Sequence, residues 1–556
     1  MTYRSMIRDF GNMSMAQAEV LRARFSLSMS PDTLLFCGIH YKERFGRDPF
    51  VDELKMLDML TAAQRKSGDS QALTEFLTND AFVAKTYADM LKMRNKLHPE
   101  VYHPITLTDA ANVSNEYCTT RRKKKSNSNI HPHLENAPYR LHLLQLSDSA
   151  PCVGDTLVLL SPAKQDSQDE FYHKATALLQ NRELMRFVKT VASIGHGGIL
   201  PELLTQAEGV HIYLPALAFD KEPIPTTVLC NRFFKCKILR LAPQHWSKVS
   251  TLLKNSGVRA TPFATVLEKE KFVFARDKQT AFEIETSFLH SLRSYETIRA
   301  KLPSESSRMT LSPSLHYVWN KAFPFLTSDN ATQIGEVTQN GVGTCVSATA
   351  TTAGSYYKTA IWSILAPTMA LCACGIPYSK QALAIALEIP KDLSHDAVAG
   401  KCMSTVLGLF RAQAELKLAA KGGTIIDRNK DVSVPSIFVW AAAQNAKKLP
   451  NTFTTKGSSI YAVTPKFDFD GLPVFSDMRK KLNAIAKLAN KGKILSFRVL
   501  SGETITDGIC KMSSAYTCEK DDRAILTETK LPLCILIESN NRLPWRCIGK
   551  VVSETL

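Results

Sequence analysis

The sequence predicts an α/β protein built from several modules, and three observations support that fold class. The chain has 556 residues, which at ~150 residues per domain is enough for roughly three or four domains. Its composition, 44% hydrophobic and 22% charged, is that of an ordinary globular protein and excludes disorder, collagen and coiled coil as the main architecture. Strand-like and helix-like segments alternate along the chain, which favours mixed α/β layers.

The clearest alternation lies near the end of the chain. SDMRKKLNAIAKLANKG, which starts at Ser476, has its apolar residues on one helical face and Gly492 just past its end, so we predict an amphipathic helix with Ser476 as its cap. The apolar segments SSIYAVTP before it and ILSFRVL after it predict strands. Earlier in the chain, GDTLVLLSP (154–162) and HIYLPALAF (211–219) predict two more strands.

A long uncharged run, TAIWSILAPTMALCACGIPYS (359–379), raises the question of a membrane span because its 21 positions are enough to cross a bilayer. Pro367 interrupts its middle, and Lys358 and Lys380 flank it symmetrically, without the charge bias that orients membrane helices. We therefore predict a buried helix and no membrane partner.

Net charge and cysteine content indicate which partners and which cellular compartment to consider. Lysine and arginine number 69 against 52 acidic residues, a net charge of +17, so nucleic acid is one class of partner to consider. The 13 cysteines lack paired spacings, and the start MTYRSMIRDF lacks an apolar signal core. Together these features predict free thiols, a reducing compartment and a cytoplasmic location.

The amino-acid composition changes between Cys118 and Pro151, where RRKKKSNSNIHPHLENAP is polar, basic and without clear periodicity. We predict a linker or exposed loop over 118–150. Five of its cations offer contacts to the phosphates of a polyanion: Arg121, Arg122, Lys123, Lys124 and Lys125. No aromatic residue is interleaved for base stacking, so a solvated loop is the alternative.

No metal site is predicted. His131-Pro132-His133 and Cys118 lack a second ligand pair at zinc spacing. Cys372 and Cys374 would point in opposite directions on a helix, which favours buried core thiols.

Several longer stretches lie in the order and spacing of one known family. They include VPSIFVWAAAQNAKKLPNTFTTKGSSIYAVTPKFDFDGLPVFSDMRKKLNAIAKLANKGKILSF (Val434–Phe497) and SPDTLLFCGIHYKERFGRDPFVDELKMLD (30–58). They also include VGDTLVLLS, SIGHGGILPELLTQAEGVHIYLP and GLFRAQAELKLAAKGG. Over most of its length the chain resembles the synthetase portion of phosphoribosylformylglycinamidine synthase, the PurL family, in its long single-chain form.

The resemblance implies a fold of PurM-like modules, also called AIRS-type modules, with a small helical linker domain. It implies an N-terminal segment and linker domain over 1–117 and a basic linker over 118–150 that replaces the first N-terminal-type module. It places a first C-terminal-type module at 151–295, and a paired second N-terminal-type and C-terminal-type module at 296–431 and 432–556. The glutaminase domain of the family is expected to be absent.

The resemblance also implies a chemistry: ATP activates an amide oxygen, Mg²⁺ screens the phosphates and ammonia completes an amidine of purine biosynthesis. This sequence departs from it at the positions that match the family's catalytic motifs. Gln64 replaces a catalytic histidine, Ser193 replaces an aspartate and Thr205 replaces a glutamate. A glutamine has no proton to exchange near neutral pH.

Further departures concern the phosphate loops and the second half. Ser161–Gln168 contains no glycine where the family has a glycine-dense loop, and Asn231–Cys236 is basic where the family is acidic. Leu365 falls where the family has a metal carboxylate, and Gly422–Asp427 is a shortened nucleotide loop.

These departures lead to the hypothesis of a pseudoenzyme that acts as a scaffold or binding protein, with no cofactor expected. A residual or partner-completed synthetase component, with residual ATP or ADP and Mg²⁺, is one alternative, and a basic nucleic-acid-binding protein is another. Gly195, Gly197 and Gly198 are candidates for an anion- or nucleotide-binding turn, with a packing turn as the alternative. A protein partner or homo-oligomer is expected, since such modules normally pair their sheets.

Overall fold

The structure of the protein is a computed structural model. It describes residues 6–66, 71–97, 105–121, 130–135, 139–146, 150–163, 167–195, 198–217, 233, 235–254, 256–276, 279–292, 296–303, 333–340, 343–351, 355–468, 471–520 and 530–553. Two compact units result. One combines Met1–Gln71 with Leu144–Glu296, and the other combines Ala72–Leu143 with Thr297–Leu556.

The first unit opens with three helices: α1 (Met15–Phe25), α2 (Pro31–His40) and α3 (Val51–Lys66). Serine caps start the first two, since the side chains of Ser14 and Ser30 accept the backbone N–H groups of Gln17 and Thr33. These helices pack around a common core that includes Phe10 and Leu57. They lie within the range 1–117, where the sequence resemblance implies a helical linker domain, and are called the linker helices below.

A seven-stranded sheet forms the rest of the first unit, in the spatial order β11-β10-β7-β9-β5-β8-β6. Its strands are β5 (Thr156–Pro162), β6 (Val188–Ser193), β7 (Val210–Tyr213), β8 (Lys237–Leu241), β9 (Val258–Val266), β10 (Lys271–Arg276) and β11 (Gln279–Glu285). Its helices are α6 (Gln168–Leu179), α7 (Arg182–Met185), α8 (Ile199–Gln206), α9 (Trp246–Leu253) and α10 (Thr286–Ser291).

Both strands predicted in this unit exist, one of them shorter than expected. The strand predicted over 154–162 is confirmed as β5. The strand predicted over 211–219 ends at Tyr213, because Leu214–Leu217 is a 3₁₀ turn that contains Pro215. A proline has no N–H to donate to a neighbouring strand.

The second unit contains a six-stranded sheet in the order β13-β15-β18-β16-β17, with β14 paired to β15. Its strands are β13 (Gln333–Ile334), β14 (Thr338–Asn340), β15 (Gly343–Thr351), β16 (Ala382–Pro390), β17 (Ala420–Asn429) and β18 (Ser436–Ala443). Helices α11 (Tyr356–Ala373) and α12 (Asp396–Leu416) pack against each other beside this sheet.

The uncharged run predicted as a buried helix is confirmed within α11, where every residue except Lys358 is buried. Leu365, Ala366 and Met369 are fully enclosed in the core of the second unit. Among the described residues, the helices are too short or too polar to cross a membrane.

A five-stranded sheet in the order β20-β22-β19-β23-β21 completes the second unit. Its elements are β19 (Ser459–Val463), α13 (Phe475–Asn490), β20 (Ser496–Leu500), α14 (Ile505–Met512), β21 (Tyr516–Lys520), β22 (Cys534–Ser539) and β23 (Arg546–Ser553). The predicted amphipathic helix and its flanking strands are confirmed. The predicted cap is wrong, because Val474 precedes the first residue and Ser476 lies inside the first turn.

The segment between the linker helices and β5 corrects the linker predicted over 118–150. It contains β1 (Gln71–Leu77), α4 (Ala81–Leu97), β2 (Ile105–Thr106), α5 (Leu107–Arg121), β3 (Ile130–Glu135) and β4 (Arg140–Gln145). β1 lies between β2 and a further strand, β12 (Glu296–Lys301), and α4 and α5 pack on α12. Residues 72–117 therefore belong to the second unit, whereas the sequence boundaries placed them with the N-terminal segment.

β3 and β4 form a two-stranded ribbon that packs against the six-stranded sheet. Ile130, Leu141 and Leu143 are buried against Cys345 and a short row of alanines, Ala384 and Ala442. In β3 the buried Ile130 and Pro132 alternate with less buried histidines. This short period-2 pattern is hidden within a basic stretch, which explains why the sequence predicts only a linker there.

Candidate functional site

The candidate site lies in the first unit, where β6 leads through the predicted glycine turn into α8. Ser193, the last residue of β6, pairs across the sheet with Lys237 of β8. Backbone hydrogen bonds continue this pairing, from Ile194 N–H to Cys236 O and from Lys235 N–H to Ile194 O, each at 2.8 Å. The turn is therefore held against the start of β8.

Gly198 is the glycine that the turn requires. Its φ of 78° and ψ of −160° lie in a region that only glycine adopts readily. Its N–H donates to Gly195 O at 3.1 Å, which closes the turn before α8 begins at Ile199. Gly195 has no such backbone need, and Gly197 lies outside the described residues.

A buried ammonium lies beside this turn. Lys237 is 3% exposed, and its Nζ donates to Ser193 Oγ at 2.9 Å. The same Nζ lies 5.8 Å from the centre of the Tyr172 ring, within the range of a cation–π contact. A buried charge needs such polar and aromatic compensation to remain charged.

Glu202 brings a carboxyl group to the other side of the turn. Its Oε1 lies 3.9 Å from the position that a Cβ at Gly195 would take. Burial raises the pKa of Glu202 to about 7, while a hydrogen bond from the Gly195 N–H and the charge of Lys237 oppose this rise. A carboxyl group with this pKa gains or loses its proton near neutral pH, and such shifted pKa values are common at functional sites.

A buried network fixes the other end of α8. Asp155 is 1% exposed. It accepts a hydrogen bond from Lys189 Nζ at 2.7 Å and forms an ion pair with Arg240 Nε at 3.6 Å. Arg240 also donates to the backbone oxygen of Gln206, whose side chain accepts from Thr190. The last residue of α8 is thus tied to the sheet, which keeps Glu202 in place.

The resemblance implies a family glutamate at the position of Thr205, which lies one helical turn after Glu202. The Thr205 hydroxyl donates to the backbone oxygen of Glu202 at 2.7 Å and is exposed. The residue that places a carboxyl group beside the turn is therefore Glu202, three residues before Thr205. The spacing of Gly198 and Glu202 puts an acid into the first turn of a helix, and the sequence alone could have indicated Glu202 by this spacing. The sequence does not indicate Lys237, because Lys237 reaches the site only through the pairing of β6 and β8.

In the second unit, the positions at which the sequence departs from the family's motifs lie in a buried helix and in a strand. Leu365 is completely buried in α11. Gly422–Asp427, expected to be a shortened loop, lies within β17, where Thr424 pairs with Ile385 and Asp427 pairs with Glu388. This backbone is therefore extended and paired with β16, and it does not form the loop that was expected.

Other predicted residues lie at the margins of the described chain. Gln64 is in α3, and its side chain is outside the described residues. Arg121 is the last residue of α5, and the remaining cations of that run, Arg122–Lys125, are outside the described residues. Of the Ser161–Gln168 stretch, Ser161 and Pro162 end β5 and Ser167 caps α6.

Metal-ligating residues do not converge in the described part of the chain, where no group of three or more His, Cys, Asp or Glu side chains could hold an ion. His131 and His133 lie on β3. Cys372 and Cys374 are buried, Cys372 Sγ accepts from Gln381 Nε2, and burial raises the pKa of Cys374 to about 12. Both are core thiols, as predicted.

Comparison with known proteins supports the fold. No family model matches the chain, and no curated protein matches it in sequence. The PurLQS structure from Thermotoga maritima is similar at a TM-score of 0.51 and 12% identity, covering 92% of this chain and 100% of that one. PurL from T. maritima complexed with AMPPCP is similar at a TM-score of 0.50 and 12% identity, covering 92% and 99%. The chain has a PurL-like fold of PurM-like α/β modules, which confirms the predicted fold class.

Proposed function

We propose that this protein is a PurL-fold binding or scaffold protein that has lost ATP- and Mg²⁺-dependent amidine synthesis. The observation that carries the proposal is the contact between Lys237 Nζ and Ser193 Oγ, at the position where the resemblance implies an aspartate. Mg²⁺ is bound through anionic oxygen ligands, whereas an ammonium repels it. The enclosure of Leu365 in the core supports the same conclusion for the second unit.

The test is a combined binding and activity measurement on the full chain. After any co-purified nucleotide or nucleic acid has been removed, ATP·Mg²⁺ and ADP·Mg²⁺ are titrated by calorimetry and thermal shift. The family's amide substrate is then supplied with ATP, Mg²⁺ and ammonium. We expect no amidine above the protein-free control. Amidine formation that Glu202→Gln abolishes and the exposed control Glu208→Gln preserves would overturn the proposal.

A second candidate, a partner-completed synthetase component of purine biosynthesis, is favoured by Glu202. A carboxyl group with a pKa of about 7 beside a glycine turn is suited to proton transfer. Such a component needs its ammonia source and nucleotide site from another chain. Complexes captured on the tagged protein would then form amidine with ATP and glutamine, and complexes captured on Glu202→Gln would not.

The glycine turn is proposed as an anion site that Glu202 occupies in the free protein. Because a Glu202 carboxyl oxygen already lies beside Gly195, an external phosphate must displace that carboxyl group. Glu202→Gln should therefore bind inorganic phosphate more tightly than the unmodified chain, and Gly198→Ala, which cannot adopt the turn without strain, should not. Equal affinity of the three proteins would leave the turn with a packing role.

A further inference from the structure

We propose that a lysine-rich surface of the second unit binds the phosphate backbone of a nucleic acid without sequence preference. The surface, called the lysine cluster below, is defined by three segments: 374–380, 444–450 and 487–493. It is distinct from the basic run that begins at Arg121 and goes beyond the function proposed above.

Hydrogen bonds hold the three segments together. At the end of α13, Gly492 N–H donates to Ala489 O and Lys493 N–H donates to Leu488 O, each at 3.0 Å, with Gly492 at a φ of 69°. Lys447 Nζ lies 3.3 Å from Ala489 O, which links the second segment to this helix end.

The first segment is tied to the other two by two further bonds. Lys447 N–H donates to Cys374 O at 2.9 Å, and Asn490 Nδ2 donates to Gly375 O at 2.7 Å. The cations on these segments are therefore presented by a fixed backbone, so binding has to order only the lysine side chains.

The charge of the cluster is of one sign. Its six cations are Lys380, Lys447, Lys448, Lys487, Lys491 and Lys493. The three segments contain no aspartate or glutamate. All six lysines except the half-buried Lys493 are exposed. Within the part of the chain that the structure describes, none of the ion pairs involves any of the six.

Helix stability alone does not account for so many lysines. A cation near a helix C-terminus is stabilising, and Lys447 already contacts the last carbonyl groups of α13. Further like charges repel one another, and Lys487 and Lys491, four residues apart, form an unfavourable pair on the helix surface. A polyanion removes this repulsion when it binds.

The chemistry of the cluster selects a phosphate backbone as its partner. Lysine ammonium groups act as point charges without the bidentate geometry that arginine uses to read a planar group. Each phosphate they neutralise releases counterions, which gives affinity that falls steeply with salt. Tyr378 is the single aromatic residue in the three segments, too few for base stacking along a strand.

The test is fluorescence anisotropy of the full chain with labelled duplex DNA and single-stranded RNA of mixed sequence, from 50 to 200 mM NaCl. The test variant is Lys448→Glu/Lys487→Glu/Lys491→Glu. The control variant is Lys430→Glu/Lys456→Glu/Lys480→Glu, which changes the net charge equally at three exposed lysines outside the cluster. Lys447 is left intact because it caps α13.

We expect the test variant to bind roughly 10-fold or more weakly at 100 mM NaCl, with a salt slope smaller by about 2 to 3, while the control variant keeps most of its affinity. An equal loss of affinity in both variants would show that only the net charge matters and would overturn the proposal. The absence of salt-dependent binding by the unmodified chain would overturn it as well. Binding of polyglutamate but neither nucleic acid would also overturn it. If a charge reversal lowers Tm, the same lysines are changed to glutamine.

Discussion

Lys237 Nζ and Ser193 Oγ form a 2.9 Å hydrogen bond between directly paired residues of two neighbouring strands. The bond places a serine hydroxyl against the ammonium of Lys237, a residue that is 3% exposed. Ser193→Ala removes one of the groups that compensate this buried charge, so we expect it to lower the free energy of unfolding by about 1–3 kcal/mol. Urea unfolding measures the change. Ser247→Ala, on the exposed side of α9, is the control, and an equally small effect of both variants would contradict the prediction.

The protonation of Glu202 makes a second prediction, on pH. Its folded pKa of about 7 is above the usual value of 4.5, so the folded protein keeps a proton that the unfolded chain releases first. The associated stabilisation is complete below about pH 4.5 and is lost as pH rises through 7. We expect Glu202→Gln to raise Tm relative to the unmodified chain at pH 8 more than at pH 5. The exposed Glu208→Gln should give the same difference at both pH values, and a flat difference for Glu202→Gln would contradict the assignment.

His40 gives a pH dependence of the opposite sign. Its ring stacks on Phe288 with centroids 3.6 Å apart. Burial lowers the pKa of His40 below 6.5, Arg44 lowers it further, and the carboxylates of Glu285 and Glu43 oppose the shift. The unfolded chain therefore takes up the proton first, and stability present above pH 6.5 is lost as pH falls through the folded pKa.

We expect His40→Phe, which keeps an aromatic ring on Phe288, to reduce the loss of Tm between pH 7 and pH 5. His173→Gln, at an exposed position of α6, is the control and should leave that loss unchanged. Equal pH profiles for His40→Phe and the unmodified chain would show that His40 does not govern this loss.

The sequence predicts the fold better than it predicts the site, for physical reasons. Periodic apolar residues predict β5, α11 and α13 because burial of one face determines these elements locally. The ribbon of β3 and β4 was missed, because its buried positions are few and its histidines and the preceding cations dominate the composition. Its partners, such as Ala384, are far away in sequence.

The site depends on contacts that no local pattern contains. Ser193 was identified as a departure, but its partner Lys237 lies 44 residues away and meets it only through the register of β6 and β8. The resemblance points to Thr205, one helical turn from Glu202, and only the geometry of α8 shows that Glu202 is the residue beside the turn.

Glu538 offers a test of the second unit. This carboxylate is completely buried in β22 and accepts the backbone N–H groups of Thr454 and Thr455 and the hydroxyl groups of Ser458 and Ser496, at 2.6 to 3.2 Å. Glu538→Ala leaves these donors without their acceptor, so we expect a loss of about 3 kcal/mol or more in unfolding free energy.

Glu519→Ala, on the exposed side of β21 in the same sheet, is the control for Glu538→Ala and should change the unfolding free energy by less than about 0.5 kcal/mol. Denaturant unfolding of both variants, followed by circular dichroism, gives the comparison. Similar midpoints for the two variants would mean that water replaces the lost carboxylate.

Arg47 and Glu53 make the strongest prediction for the linker domain. Arg47 donates to both carboxylate oxygens of Glu53 at 2.6 and 2.8 Å, and Phe50 N–H donates to the same completely buried group at 2.7 Å. The guanidinium also lies 5.5 Å from the centre of the Tyr41 ring. Arg47→Ala leaves a buried carboxylate without its cation, and we expect a loss of about 3–5 kcal/mol.

Arg47→Lys should recover only part of that loss, because an ammonium cannot form the two parallel bonds. Arg44→Ala, at an exposed position three residues earlier, is the control, and thermal unfolding at pH 7 measures all three variants. If Arg47→Ala unfolds at the same temperature as the control, the pair contributes little to stability. The expected loss would instead show that the fold of the three N-terminal helices depends on this buried ion pair.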